Sequence, residues 1–190
     1  MKQKTLLIIL LTISIKSFSQ DSKLGLQLNY PIPVGNNFVG ENYHGIIDVG
    51  ADYRIVDMNP INIGVSLNGG VLLAPEDLKV TAYVIQPSIF GELDLKSLVK
   101  LHPSVGIGYT LMVFDASTTT NRGLTVLDTS KTLSGFNFNF GLSYDITTKY
   151  FVQVQYDFIK LGNDNGLPGI PAISFNTNVN IWKFGLGYRL

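Results

Sequence analysis

Phe136-Asn137-Phe138-Asn139-Phe140-Gly141-Leu142-Ser143-Tyr144-Asp145-Ile146 alternates without a break. Every second residue is large and apolar, and every residue between is small or polar. A period of two belongs to a β-strand with two unlike faces. The polar face here holds Asn, Gly, Ser and Asp rather than the Lys and Glu of a surface in bulk water. The same alternation marks seven further segments, which begin at Leu24, Ile47, Ile61, Tyr83, Leu101, Tyr150 and Trp182. Eight strands of about ten residues have the length needed to cross a bilayer at a tilt.

The connections alternate too. Segments 57–60, 95–100 and 147–149 are short. Segments 31–44, 115–132 and 160–174 are long, and 74–79 falls on their side. Short turns at one end and long loops at the other are the layout of an outer-membrane barrel. The expected fold is therefore all-β, an eight-stranded antiparallel up-and-down transmembrane β-barrel, with both termini and the short turns on the periplasmic side. Pro87 and Pro103 fall inside the fourth and fifth strands, where a missing ladder donor predicts a bulge. In the last strand Val179 and Ile181 follow one parity and Trp182 to Leu190 the other, which places its spanning part after Trp182.

A soluble eight-stranded barrel alternates as well, with the faces reversed. The lysines separate the two cases. Beyond the N-terminal segment they are Lys23, Lys79, Lys96, Lys100, Lys131, Lys149, Lys160 and Lys183. All but Lys183 fall in loops or at strand ends. Asn, Gln, Ser and Gly on the second face suit a narrow closed interior instead. Lipid also demands closure, because every backbone polar group there must be paired. Tyr53, Tyr144, Tyr150 and Tyr188 fall toward one set of strand ends. Tyr30, Tyr83, Tyr156, Phe158 and Trp182 fall toward the other, as two interfacial girdles would.

The N-terminus reads as an export signal over residues 1–19. Lys2 and Lys4 precede the apolar run Thr5 to Ile15, and Ser17-Phe18-Ser19 offers small residues at the cleavage positions before Gln20. The barrel domain then spans 20–190. The run is too short to cross a bilayer comfortably. The chain has no Cys, which excludes disulfides and thiolate metal sites. Removing Lys2, Lys4 and Lys16 leaves 11 basic against 14 acidic residues, which argues against nucleic acid as a partner.

The signal segment, the eight alternating strands and the closing Phe184-Gly185-Leu186-Gly187-Tyr188-Arg189-Leu190 resemble the small outer-membrane β-barrel proteins of Bacteroidetes-type bacteria. More broadly they resemble the eight-stranded barrels related to OmpA and OmpX. The resemblance implies outer-membrane localisation, contact with outer-membrane lipid, and insertion by the outer-membrane assembly machinery. That machinery reads an alternating C-terminal strand, and Phe184, Leu186, Tyr188 and Leu190 match the signal. Leu190 stands where the family commonly has an aromatic residue.

Some barrels of this size are enzymes that use His, Ser and an acid. His44 with Asp48 four residues on, along one strand face, is the candidate pair, with Ser117 to Thr120 or Ser174 as partners. His102 reads as a lumen or turn residue. The inward charges Asp48, Asp52, Arg54, Glu92, Asp145, Asp157, Lys183 and Arg189 predict a paired polar network that fills the interior. Arg54, Glu92, Asp145 and Arg189 share one half of the barrel and are expected to pair. Asn163-Asp164-Asn165-Gly166 lacks calcium-loop spacing and reads as a turn. No catalytic residue, cofactor or metal is expected. The sequence points to a non-enzymatic barrel, structural or binding an envelope protein partner through its loops. A small pore and a lipid-modifying enzyme are the alternatives.

Overall fold

The computed structural model describes residues 23–75, 80–94, 100–116, 120–121, 124–125, 129–162 and 177–190. The proposed export signal, Arg122 and the Asn163–Gly166 turn lie outside these residues, as do Ser117 to Thr119, Ser174 and the apolar Leu167, Ile170 and Ile173. Among the described residues ten strands and one short helix follow in order. They are β1 (Leu24–Val34), α1 (Phe38–Asn42), β2 (His44–Met58), β3 (Ile61–Leu73), β4 (Val80–Leu93) and β5 (Leu101–Ala116), then β6 (Thr120–Asn121), β7 (Leu124–Thr125), β8 (Thr129–Asp145), β9 (Tyr150–Leu161) and β10 (Asn178–Arg189).

Eight of these close a barrel in the order β1-β10-β9-β8-β5-β4-β3-β2, every neighbour antiparallel. The small pair β6–β7 stands apart within the β5–β8 connection. Strands β5 and β8 run to 16 and 17 residues, so both ends of the expected loop 115–132 are strand. Met58 and Ile61, Leu93 and Leu101, and Asp145 and Tyr150 gather with Leu24 and Arg189 at one end, called here the terminus end. The opposite ends of the strands, with α1 between β1 and β2, form the loop end.

The exterior is apolar all round. Phe136 is 65% exposed, Phe140 56% and Leu186 61%, while their polar sequence neighbours turn inward. A wall of exposed large apolar residues on this scale has lipid as its natural solvent. Tyr144, Tyr150 and Tyr188 band the terminus end, with the Tyr150 and Tyr188 rings 5.1 Å apart. Tyr156 and Trp182, 4.8 Å apart, lie toward the other band.

The bulges fall elsewhere than expected. Pro103 keeps its register opposite Leu142, and Pro87 interrupts the ladder to β5 without shifting it. Both irregularities are in β2, between Gly45 and Ile47 and between Arg54 and Val56. The first answers a local crowding. A side chain on Gly45 would meet the Pro31 carbonyl at 1.7 Å. Pro31 and Pro33 belong to β1, not to a loop, and pair with Lys183 and Ile181. The ladder from β1 to β2 stops at Asn29–Asp48, as expected where alternate prolines remove donors from one edge.

Strand β10 shows no phase break. Its register is continuous from Asn178 onward with β9 and from Asn180 onward with β1. Val179 and Ile181 point inward like Lys183, and they join Val39, Tyr43, Leu72, Ala82, Val84, Met112, Ile159 and Leu161 in a buried apolar cluster. The lumen therefore changes from polar to apolar toward the loop end, and α1 lies over it through Val39.

Candidate functional site in the barrel lumen

Directly beneath the apolar cluster lies Lys183, 2% exposed. Its Nζ is 2.9 Å from Asp48 Oδ2 and 3.0 Å from Asp157 Oδ2, and it donates to Gln86 Oε1 at 2.7 Å. Two carboxylates against one ammonium need further donors. Asn29 Nδ2 supplies one to Asp48 at 3.0 Å, and Gln155 Nε2 one to Asp157 at 2.6 Å. A buried charge is tolerable only when paired and hydrogen-bonded in this way.

The network continues in both directions. Asn137 donates to Thr110 at 2.9 Å, beside Gln86. Gln153 donates to Asn29 Oδ1 at 2.7 Å and to Gln27 Oε1 at 2.9 Å, and Gln27 donates to Asp52 at 2.8 Å. The lumen is thus bridged from wall to wall by amides and carboxylates.

At the terminus end a second set of charges pairs off. Arg54 bonds Glu92, and Arg189 bonds Asp145. His102 joins them, with Nδ1 2.7 Å from Asp94 Oδ1 and Nε2 3.0 Å from Asp145 Oδ2. Asn62 donates to the other Asp94 oxygen at 2.9 Å. Asp94 sits just beyond β4. Burial alone would raise its carboxyl, but the bonds from Asn62 and His102 and the nearby Arg54 charge outweigh it and hold it below the ordinary value.

Ligand atoms of Glu92, Asp94 and His102 lie within 4.8 Å of one another, close enough to share a cation. Their bonds argue for an ion-pair network instead. Both His102 ring nitrogens already face carboxylates, Glu92 is held by Arg54, and Arg189 adds a second guanidinium. Asp94 and His102 were absent from the charge set read in the sequence. Their signal was position, since each flanks a short turn at the polar end of a strand.

Two inward aromatics also escaped that reading. Phe90 and Phe151 sit at polar-face parity, and each is opposite a glycine, Gly64 and Gly187. A side chain on Gly187 would stand 1.9 Å from the Phe151 ring. The Arg189 guanidinium stacks 4.6 Å above that ring. Between the two charged layers a polar cavity of about 50 Å³ remains, lined by Asn68, Ser104, Asn139 and Gln153 with Phe90 and Phe151. That is room for a few water molecules.

His44 and Asp48 do not meet. The bulge at Ile46 puts His44 opposite Leu73 and Asp48 opposite Gly70, so His44 is exposed while Asp48 is 1% exposed and bound to Lys183. The His44–Asp48 pair expected from the sequence therefore does not form. Phe184 and Leu186 face outward on β10, and Leu190 closes the seam by donating its backbone N–H to Leu24 at 2.9 Å.

Comparison with known proteins agrees with this architecture. The fold is similar to that of Ail, the attachment invasion locus protein of Yersinia pestis, at TM-score 0.58 and 12% identity over 88% of this chain and 97% of that one. It is also similar to Neisserial surface protein A, at 0.55 and 16% over 88% and 96%. The N-terminal β-barrel domain of Pseudomonas aeruginosa OprF gives 0.51 and 13% over 87% and 97%. At such identities the likeness is one of fold. No curated protein matches the chain by sequence. The outer membrane protein beta-barrel domain family matches residues 5–189, and the chain belongs to that family.

Proposed function

We propose that this chain is a non-conducting, non-enzymatic outer-membrane barrel that serves as a structural element and binds an envelope protein partner through its loop end. The carrying observation is the doubly blocked lumen, with an apolar cluster at the loop end and the Lys183 network beneath it. Eight strands leave little more than side-chain room, and here that room is filled. The exposed His44, separated from Asp48, speaks for the non-enzymatic reading. The long connections support loop-borne recognition, since loops on a rigid barrel are free to vary. In this reading the terminus end is periplasmic, residues 1–19 are an export signal, and Phe184, Leu186, Tyr188 and Leu190 present the strand that the assembly machinery reads. The closing strand also fits the Bacteroidetes-type group of small barrels.

Planar-bilayer recording of purified protein tests the sealed lumen. Silence is expected, and stable ion-selective openings would overturn it. Crosslinking in cells followed by pull-down from the outer membrane should return one recurrent envelope protein, attached through loop-end residues.

A further inference from the structure

The lipid-facing wall is not uniform. Toward the terminus end, two shallow apolar grooves indent it side by side. The first, about 490 Å³, lies between Leu26, Leu28, Val49, Tyr150, Leu186 and Tyr188. The second, about 250 Å³, lies between Leu101, Leu142, Tyr144, Val152 and Val154. Each has a lysine at its rim. Lys149 Nζ stands 5.8 Å from the Tyr188 ring centre and 3.5 Å from its hydroxyl. Lys100 Nζ stands 6.0 Å from the Tyr144 ring centre.

Neither lysine pairs with a carboxylate among the described residues. Lys23, at the same end, does, with Asp57 3.3 Å away. Asp94 and Asp145, at this same end, are paired with His102 and Arg189. The sector from β5 round to β1 therefore shows an apolar groove, a phenol and an uncompensated ammonium, in that order, twice over. An acyl chain fits the first, and an anionic phosphate fits the last two.

We propose that this sector binds anionic phospholipid, with acyl chains in the two grooves and headgroup phosphates at Lys149 and Lys100. A lysine near a membrane surface strengthens such binding by about fivefold. The inference rests on the membrane placement of this wall and not on the sealed lumen, so conductance and lipid selectivity fail separately.

The test uses the full-length chain, refolded in detergent and titrated by native mass spectrometry. The probes are phosphatidylglycerol and phosphatidylcholine with identical acyl chains. Two molecules of phosphatidylglycerol should be retained in preference to phosphatidylcholine. Lys100→Gln with Lys149→Gln should weaken phosphatidylglycerol about fivefold at each groove, roughly 25-fold for the doubly bound state, and leave phosphatidylcholine unchanged. Lys23→Gln, which loses only a paired charge, should change neither. Leu26→Trp fills the first groove and should reduce the bound number to one. Equal retention of the two lipids by the native chain would overturn the proposal. So would a Lys23→Gln effect as large as the double variant's, or two lipids still bound to Leu26→Trp. Heat-shifted gel mobility verifies that each variant is a closed barrel.

Discussion

Among the described residues Lys183 is the one lysine buried on the inward face, and it decides the middle of the barrel. Its ammonium satisfies Asp48 and Asp157 together, so removing it strands two buried carboxylates. Breaking a buried pair in this way costs about 3–5 kcal/mol. Lys183→Ala should lower stability by that order in urea unfolding, followed by the fluorescence of the single tryptophan, Trp182. Lys183→Met with Asp48→Asn and Asp157→Asn removes all three charges and should cost far less. At the terminus end Asp94 makes a prediction about pH. Its folded carboxyl is held below the ordinary value by Asn62, His102 and Arg54 against the raising effect of burial. A depressed acid stabilises the fold above its unfolded pKa, about 3.9, and that contribution fades as pH falls through the folded value. Stability measured from pH 6 to pH 2 should fall below about pH 4, and Asp94→Asn should flatten part of that fall.

Strands carry the next level of specification. In β8 the alternation from Phe136 to Asp145 was fully legible, because period two and lipid exposure coincide there. In β10 it was not. A lumen that turns from Lys183 to Ile181 and Val179 keeps one parity but changes polarity, and in a sequence that looks like a slip of phase. The β2 bulges were hidden for a different reason. The one beside Gly45 answers Pro31 on a neighbouring strand, which is a tertiary contact. The pairing of Phe151 with Gly187 lies between these cases, since both residues are at inward parity but their register needs the barrel. Gly187→Ala should clash with that ring and cost about 1–3 kcal/mol. Adding Phe151→Leu should restore part of the loss, and a double-mutant cycle of urea midpoints measures the coupling.

A closed barrel is a single cooperative object, because its last strand must find its first. The β1–β10 seam runs from Gly25–Arg189 to Val34–Asn180, and Leu190 extends it to Leu24. Without this seam two edges with unpaired backbone groups would face lipid, each such group costing several kcal/mol. Truncation after Gly185 removes the partners of Leu28, Gln27, Leu26 and Gly25. It should abolish the heat-shifted gel mobility of protein refolded in detergent, where no assembly machinery is present. The same seam offers a way to separate geometry from recognition. Phe184 and Tyr188 point away from the lumen, so Phe184→Ser with Tyr188→Ser leaves every seam hydrogen bond in place. That variant should close in detergent nearly as the native chain does, yet reach the outer membrane of cells at a clearly reduced level. Equal membrane levels for the two chains, measured by fractionation, would remove these side chains from the assembly signal. Failure of the variant to close in detergent would assign them to the barrel's own stability instead.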